Sequence, residues 1–189
     1  MKKKLILSLT IIAVLLTTLQ GCKESENLDT VSVEKNLFSV EVTLPLTFVL
    51  GADDYSLEDT AEEMGAKKVT RNDNGSVTFK MKKSAYKKML KSYKENIDFV
   101  IEEILRNKSD YPSIMEITYN KDVTEFVIKV DASLYDEYTI NAAVEFFQNG
   151  MMYQMYNGVP EKKTNVRVKF VDQKTKDVLD KYDSKDFME

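Results

Sequence analysis

The sequence predicts an α+β protein: an antiparallel sheet built from hairpins, with two long helices packed on one face. Three observations carry that expectation. Short runs alternate apolar with polar residues, tight-turn residues separate those runs, and two long stretches repeat apolar residues at three- and four-residue spacing. The predicted order is strand, short helix, hairpin, long helix, hairpin, long helix, hairpin, and such an order favours helices packed against an antiparallel sheet.

The first strand is signalled by Phe38, Val40, Val42 and Leu44 alternating with Ser39, Glu41 and Thr43, and Pro45 stops it. Ser56 and Asp59 have capping-box-like spacing and open a short helix over 57–64 that Gly65 ends, with Glu58, Asp59, Glu62 and Glu63 on its polar face. The runs 67–71 and 76–81 flank Asn72-Asp73-Asn74-Gly75, residues that tolerate the positive φ angles of a tight hairpin. A helix over 84–107 follows, because Tyr86, Met89, Leu90, Tyr93, Ile97, Val100, Ile101, Ile104 and Leu105 fall on one stripe.

Met115, Ile117 and Tyr119, then a turn at Asn120-Lys121-Asp122, then Phe126, Ile128 and Val130 predict a second hairpin. Ser133 and Asp136 repeat the cap spacing and open a helical region reaching Tyr156, which Asn157-Gly158 stops. Val166, Val168 and Phe170, a polar turn at 172–175 and a strand near 178–182 complete the chain, with the tail from 185 to 189 expected to fray. Hairpin followed by helix occurs twice, without a period-locked sequence repeat.

Two stretches of these helices are candidate surfaces. Lys83, Lys87, Lys88, Lys91 and Lys94 occupy the first half of the helix over 84–107, while Glu95, Asp98, Glu102 and Glu103 occupy the second, the reverse of what the helix dipole favours. With Lys80 and Lys82 they form either a solvated helix face or a basic patch drawn to an anionic lipid surface or wall polymer. The segment Phe146 to Tyr156 carries no charge and is apolar on more than one face. Either two layers enclose it, or Phe147, Met151, Met152, Tyr153 and Tyr156 present an adaptable apolar interface to an envelope protein.

The chain has 189 residues, 27 basic and 31 acidic, no histidine and a single cysteine, Cys22. Without histidine, Ser-His-Asp and Cys-His catalysis and histidine-based metal sites are excluded. The mildly acidic balance argues against general nucleic-acid binding. Glycines are dispersed and none begins a phosphate-binding P-loop pattern, so no cofactor and no metal are expected. Acidic neighbours such as Asp53 and Asp54 leave one enzymatic alternative open, a carboxylate-dependent hydrolase of envelope glycans.

The N-terminus is the most specific motif. Three lysines, Lys2 to Lys4, precede an uncharged 14-residue run from Leu5 to Thr18, the n- and h-regions of a secretory signal and too short to span a bilayer comfortably. The run ends in Leu19-Gln20-Gly21-Cys22, and the whole resembles a bacterial lipoprotein signal peptide with its lipobox. Gln20 departs from the small residue commoner at that place.

That resemblance implies a diacylglyceryl group on the Cys22 sulfur and cleavage between Gly21 and Cys22. It further implies a protein lipid-anchored on the extracytoplasmic face of the cell membrane. Two acyl chains suffice for a durable anchor where one does not. The expected organisation is a signal peptide over 1–21, a polar tether over 22–36 and one α+β domain over 37–184. Val42-Thr43-Leu44-Pro45, the run from Asn72 to Thr78 leading into Met81-Lys82-Lys83, and the Met- and Tyr-rich helix are similar to a group of small, functionally uncharacterised lipoproteins of Gram-positive, clostridia-like bacteria. That similarity implies a location and a fold more than an activity; the function expected is a non-enzymatic binding or interaction module of the cell envelope.

Overall fold

The computed structural model describes residues 30–49 and 57–187, so the lipobox, Gly21 and Cys22, and the acidic pair Asp53 and Asp54 lie outside the described residues. The α+β class is as the sequence predicts, but the strands divide into two four-stranded sheets rather than one. Each sheet covers its own core.

The first sheet contains β1 (Ser32–Lys35), β2 (Ser39–Pro45), β3 (Ala66–Arg71) and β4 (Ser76–Lys82) in the order β1-β2-β4-β3, antiparallel throughout. Between β2 and β3 lie two short helices, α1 (Leu46–Val49) and α2 (Leu57–Glu63). Val40, Val42 and Leu44 of β2 and Val77, Phe79 and Met81 of β4 bury one face, as strand alternation requires. On the opposite face Thr43 and Thr78 share a 2.9 Å hydrogen bond and Lys80 meets Glu41 at 2.5 Å. The β3–β4 turn has Gly75 at φ 77°, and the Asn74 side chain accepts from both the backbone and the hydroxyl of Ser76.

Two local expectations are corrected here. The polar stretch expected to be tether through residue 36 contains β1, an edge strand whose Val33, opposite Val42, packs on the first core, while Lys35, opposite Val40, lies on the same side with its ammonium 5.6 Å from the Tyr86 ring centre. Phe38, expected in the core beside Val40, is 81% exposed. It sits in the β1–β2 turn, where Asn36 N–H donates to the Ser39 carbonyl at 3.0 Å, and a turn residue no longer follows the strand's alternation.

The long helix α3 (Lys83–Arg106) follows β4 without a loop, and its 24 residues extend about 36 Å. Tyr86 and Met89 enter the first core, whereas Ile97, Ile101 and Ile104 enter the second. The second sheet comprises β5 (Ile114–Tyr119), β6 (Glu125–Val130), β7 (Arg167–Asp172) and β8 (Val178–Asp183) in that spatial order. β6 and β7 are parallel, so this sheet is mixed. The parallel step follows from α4 (Asn141–Tyr156), which carries the chain back between them as a crossover helix.

In β5 a bulge between Ile114 and Glu116 turns Met115 outward to 46% exposure, while Ile114 and Ile117 face the core. The expected cap pair also shifts: Asp136 closes a capping box with Thr139 ahead of a short 3₁₀ turn, and Ser133 bonds Asp131 instead. At the far end, Ser184–Phe187 forms another 3₁₀ turn that runs into the stretch expected to fray, with the Phe187 ring 5.3 Å from that of Phe147.

α4 runs antiparallel to α3 and likewise serves both cores. Ala142, Ala143, Phe146 and Phe147 fill the second, while Met155 and Tyr156 close the first. The Tyr86 hydroxyl donates to the Tyr156 carbonyl at 3.0 Å, and the Tyr93 and Tyr156 rings stand 4.7 Å apart. Gly150 sits where this helix presses on β7 and the β5–β6 turn: a Cβ there would lie 2.5 Å from Val166 Cγ2 and 3.0 Å from the Val123 carbonyl oxygen.

Candidate functional site

The site forms where the end of α2 meets the first half of α3. After α2 the chain turns through Met64 and Gly65, with Gly65 at φ 68° in the left-handed region that favours glycine. Ala85 Cβ is only 3.3 Å from where a side chain on Gly65 would begin, so two small residues let the backbone of the turn approach α3 closely. Beside that contact lies a groove of about 370 Å³. Met64, Met89 and Tyr93 provide its apolar lining, and Ala85, Lys88, Ser92 and Asn96 present one face of α3 at helical spacing.

Glu62 and Glu63 border the groove on the α2 side, opposite Lys88. The rim therefore offers both signs of charge around an apolar interior, the usual composition of a small-ligand or peptide pocket. Tyr93 is not a base here. Burial, with Tyr156 beside it, pushes its phenol far above the ordinary range, so it stays neutral and acts only as a hydrogen-bonding group.

Lys83, Lys87, Lys88 and Lys91 are all exposed, as a surface patch requires. They are not equivalent: Lys88 borders the groove and Lys91 is held by Glu95 one turn on, whereas Lys83 and Lys87 take no carboxylate partner among the described residues. Lys94 leaves the series, donating to the Lys121 carbonyl at 2.6 Å with its ammonium 5.1 Å from the Tyr153 ring centre. The Met- and Tyr-rich segment is placed inward. Phe147 and Tyr156 are buried, Met151 and Tyr153 pack on the second core and Met152 on the first, so its several apolar faces answer to two cores.

A second, polar cavity of about 430 Å³ opens where β6 and β7 begin, among Asn120, Thr124, Lys163 and Arg167. Its groups are committed to holding the crossover. The buried Gln154 amide donates to the carbonyls of Val123 and Asn165, at 3.3 and 2.9 Å, and accepts from the Asn165 N–H. Val123, fully buried at φ 53°, is a strained conformation for a β-branched residue, and these bonds hold it.

Among the described residues, two carboxylates have displaced pKa values. Burial would raise that of Asp183, but hydrogen bonds from Asn165 and Arg167 outweigh it and hold the group below the usual range; Ser133 does the same for Asp131. Both favour the ionised form, and they sit at opposite ends of the second sheet, Asp183 opposite Arg167 and Asp131 just past Val130. Tyr119 is pushed up to about 12 by burial and by its 2.8 Å bond to Asp98.

Among the described residues no three His, Cys, Asp or Glu side chains gather at metal-binding distance, and no helix is long and apolar enough to cross a membrane. Compared with known proteins, the chain matches no protein-family profile, no curated protein and no solved structure. The groove's geometry and composition therefore carry the functional argument.

Proposed function

We propose that the protein is an extracytoplasmic lipoprotein, held on the cell membrane through a diacylglyceryl group on Cys22, that acts as a non-enzymatic binding module. The observation that supports the binding role is the groove between α2 and α3, with Met64, Met89 and Tyr93 inside and Glu62, Glu63 and Lys88 around it. Thioether side chains reshape at little cost, so such a lining accepts apolar groups of varied outline while the rim selects for charge. The occupant that fits is an amphipathic segment or small molecule with an apolar end and charged groups of both signs. It would belong to another component of the envelope, since the anchor confines the domain there.

A photoreactive amino acid at Ser92, crosslinked on intact cells, tests the groove. The expected result is an adduct that disappears when Lys88→Trp, at an exposed position on the rim, fills the space in a protein whose circular dichroism is unchanged. Adducts identical to those from a photoreactive residue at exposed Lys162 would refute a specific site. Detergent-phase partitioning tests the anchor separately: the native chain enters the detergent phase, and Cys22→Ser moves it to the aqueous phase.

A further inference from the structure

The β1–β2 turn carries two large apolar side chains where turns ordinarily place Gly, Asn, Asp or Ser. Leu37 is 76% exposed and Phe38 81%, the highest values for large hydrophobic residues among those described. Neither packs on either core, so folding gives no reason for them to be there. Their surroundings are basic. Lys35 precedes the turn, Lys82 stands opposite Ser39 in the strand register, and Lys83 follows at the start of α3 with Lys87 one turn further.

All four of these lysines are exposed, and from Lys80 to Lys91 the chain has six lysines and no acid, in a protein of net charge -4. The nearby acids are Glu41, already paired with Lys80, and Glu34, which lies across from Glu41 in the sheet. An apolar point ringed by cations matches one surface chemically: a bilayer with anionic headgroups, where the rings and methyls enter the acyl boundary and the ammonium groups stay with phosphate.

We infer that the Leu37-Phe38 turn inserts into an anionic phospholipid bilayer, with Lys35, Lys82, Lys83 and Lys87 contacting the headgroups, and so fixes the orientation of the domain on the membrane. The inference rests on the lipid-anchor reading for bringing the turn to a bilayer. It adds a second contact, made by the folded domain itself. Ser32 is paired with Thr43, so the chain arriving from the tether enters β1 at the end away from the turn and leaves the turn free to point elsewhere.

The chain contains no tryptophan, so Phe38→Trp in the full-length protein creates a single reporter at the turn. On phosphatidylglycerol vesicles its emission should shift to the blue and be quenched by brominated acyl chains, and phosphatidylcholine vesicles should give little of either. Changing Lys35 and Lys83 together to Gln should weaken that quenching about tenfold or more. A separate Phe99→Trp chain, with its reporter on the α3 face of the other half, should stay solvent-like on the same vesicles.

Solvent-like emission from the Phe38→Trp chain, on vesicles that carry it through flotation, would overturn the inference while leaving the anchor standing. Equal quenching of the Phe99→Trp chain would overturn it also. A comparable shift with soluble poly(glycerol phosphate) alone would assign the lysines to wall polymer instead. If the chain fails to float, the anchor reading falls, and quenching of the reporter at the turn by phosphatidylglycerol vesicles would still support the insertion.

Discussion

The core under the first sheet holds the buried methionines and tyrosines among the described residues, Met64, Met81, Met89, Met155, Tyr86 and Tyr156, beside its valines and leucines and Phe79. The core under the second sheet is built from phenylalanine and β-branched residues, with Phe126 and Phe146 stacked at 4.5 Å and Phe170 beside them. Unbranched thioethers adapt, whereas stiff rotamers and stacked rings specify one arrangement. The α2–α3 groove, the lysine series and the exposed turn all belong to the methionine half. The other half holds the parallel crossover, the strained Val123 and the Gln154 bonds. The division teaches that one chain can keep a compliant half, which carries the groove, beside a rigid supporting half, provided two helices run through both.

The largest effect should come from breaking the rigid half. Phe146→Ala removes a fully buried ring and is expected to cost about 4 kcal/mol by chemical denaturation. Because α3 and α4 belong to both cores, that loss should appear as a single cooperative transition at a lower midpoint; two separate transitions in calorimetry would show that the halves melt independently. Gly150→Ala comes next, at about 2 to 3 kcal/mol, since the added methyl meets Val166, which is buried, and a backbone carbonyl.

Asp183→Asn should cost about 1 to 2 kcal/mol at neutral pH, by weakening the bond to Arg167. Its sign with pH is fixed. The folded carboxyl titrates below the unfolded one, so its stabilisation is full at neutral pH and fades as the pH falls from about 4 through the folded value. Native and Asp183→Asn urea midpoints should therefore converge as the pH falls below about 4, and a constant gap would contradict the assignment. The smallest effect belongs to the compliant half: Met89→Leu should cost under about 1 kcal/mol, and a loss as large as that of Phe146→Ala would erase the contrast between the cores.

The three predicted hairpins and the stripe of α3 were legible in sequence because their signals are local. Asn72 to Gly75 needs only its own backbone to turn, and Ile97, Ile101 and Ile104 need only helical spacing. The partition of that stripe between two cores was not legible, since a helix side looks equally apolar whichever sheet covers it. The parallel pairing of β6 with β7 depends on where α4 delivers the chain, a property of tertiary packing. β1 hid within polar residues because an edge strand with one inward Val33 has almost no alternation to display.

Of the candidate site, Lys88 was visible as one of a lysine series and Glu62 and Glu63 as a polar helix face. Their convergence over Met64 and Met89 required the Gly65–Ala85 approach, which no local pattern encodes. Leu37 and Phe38 did leave a trace. They lie between Asn36 and Ser39, both turn-forming residues, and that spacing marks a turn rather than the start of a strand.

The antiparallel passage of α3 and α4 also sets an order of events while the chain is made. Synthesis delivers the N-terminus first, yet the first core stays open until Met155 and Tyr156 arrive to complete it and Tyr156 receives the Tyr86 hydroxyl. The earliest strands must therefore wait, partly assembled and with apolar surface uncovered, until most of the chain has emerged. Folding of the two halves is completed together by the same late helix, so neither half can be finished and released ahead of the other.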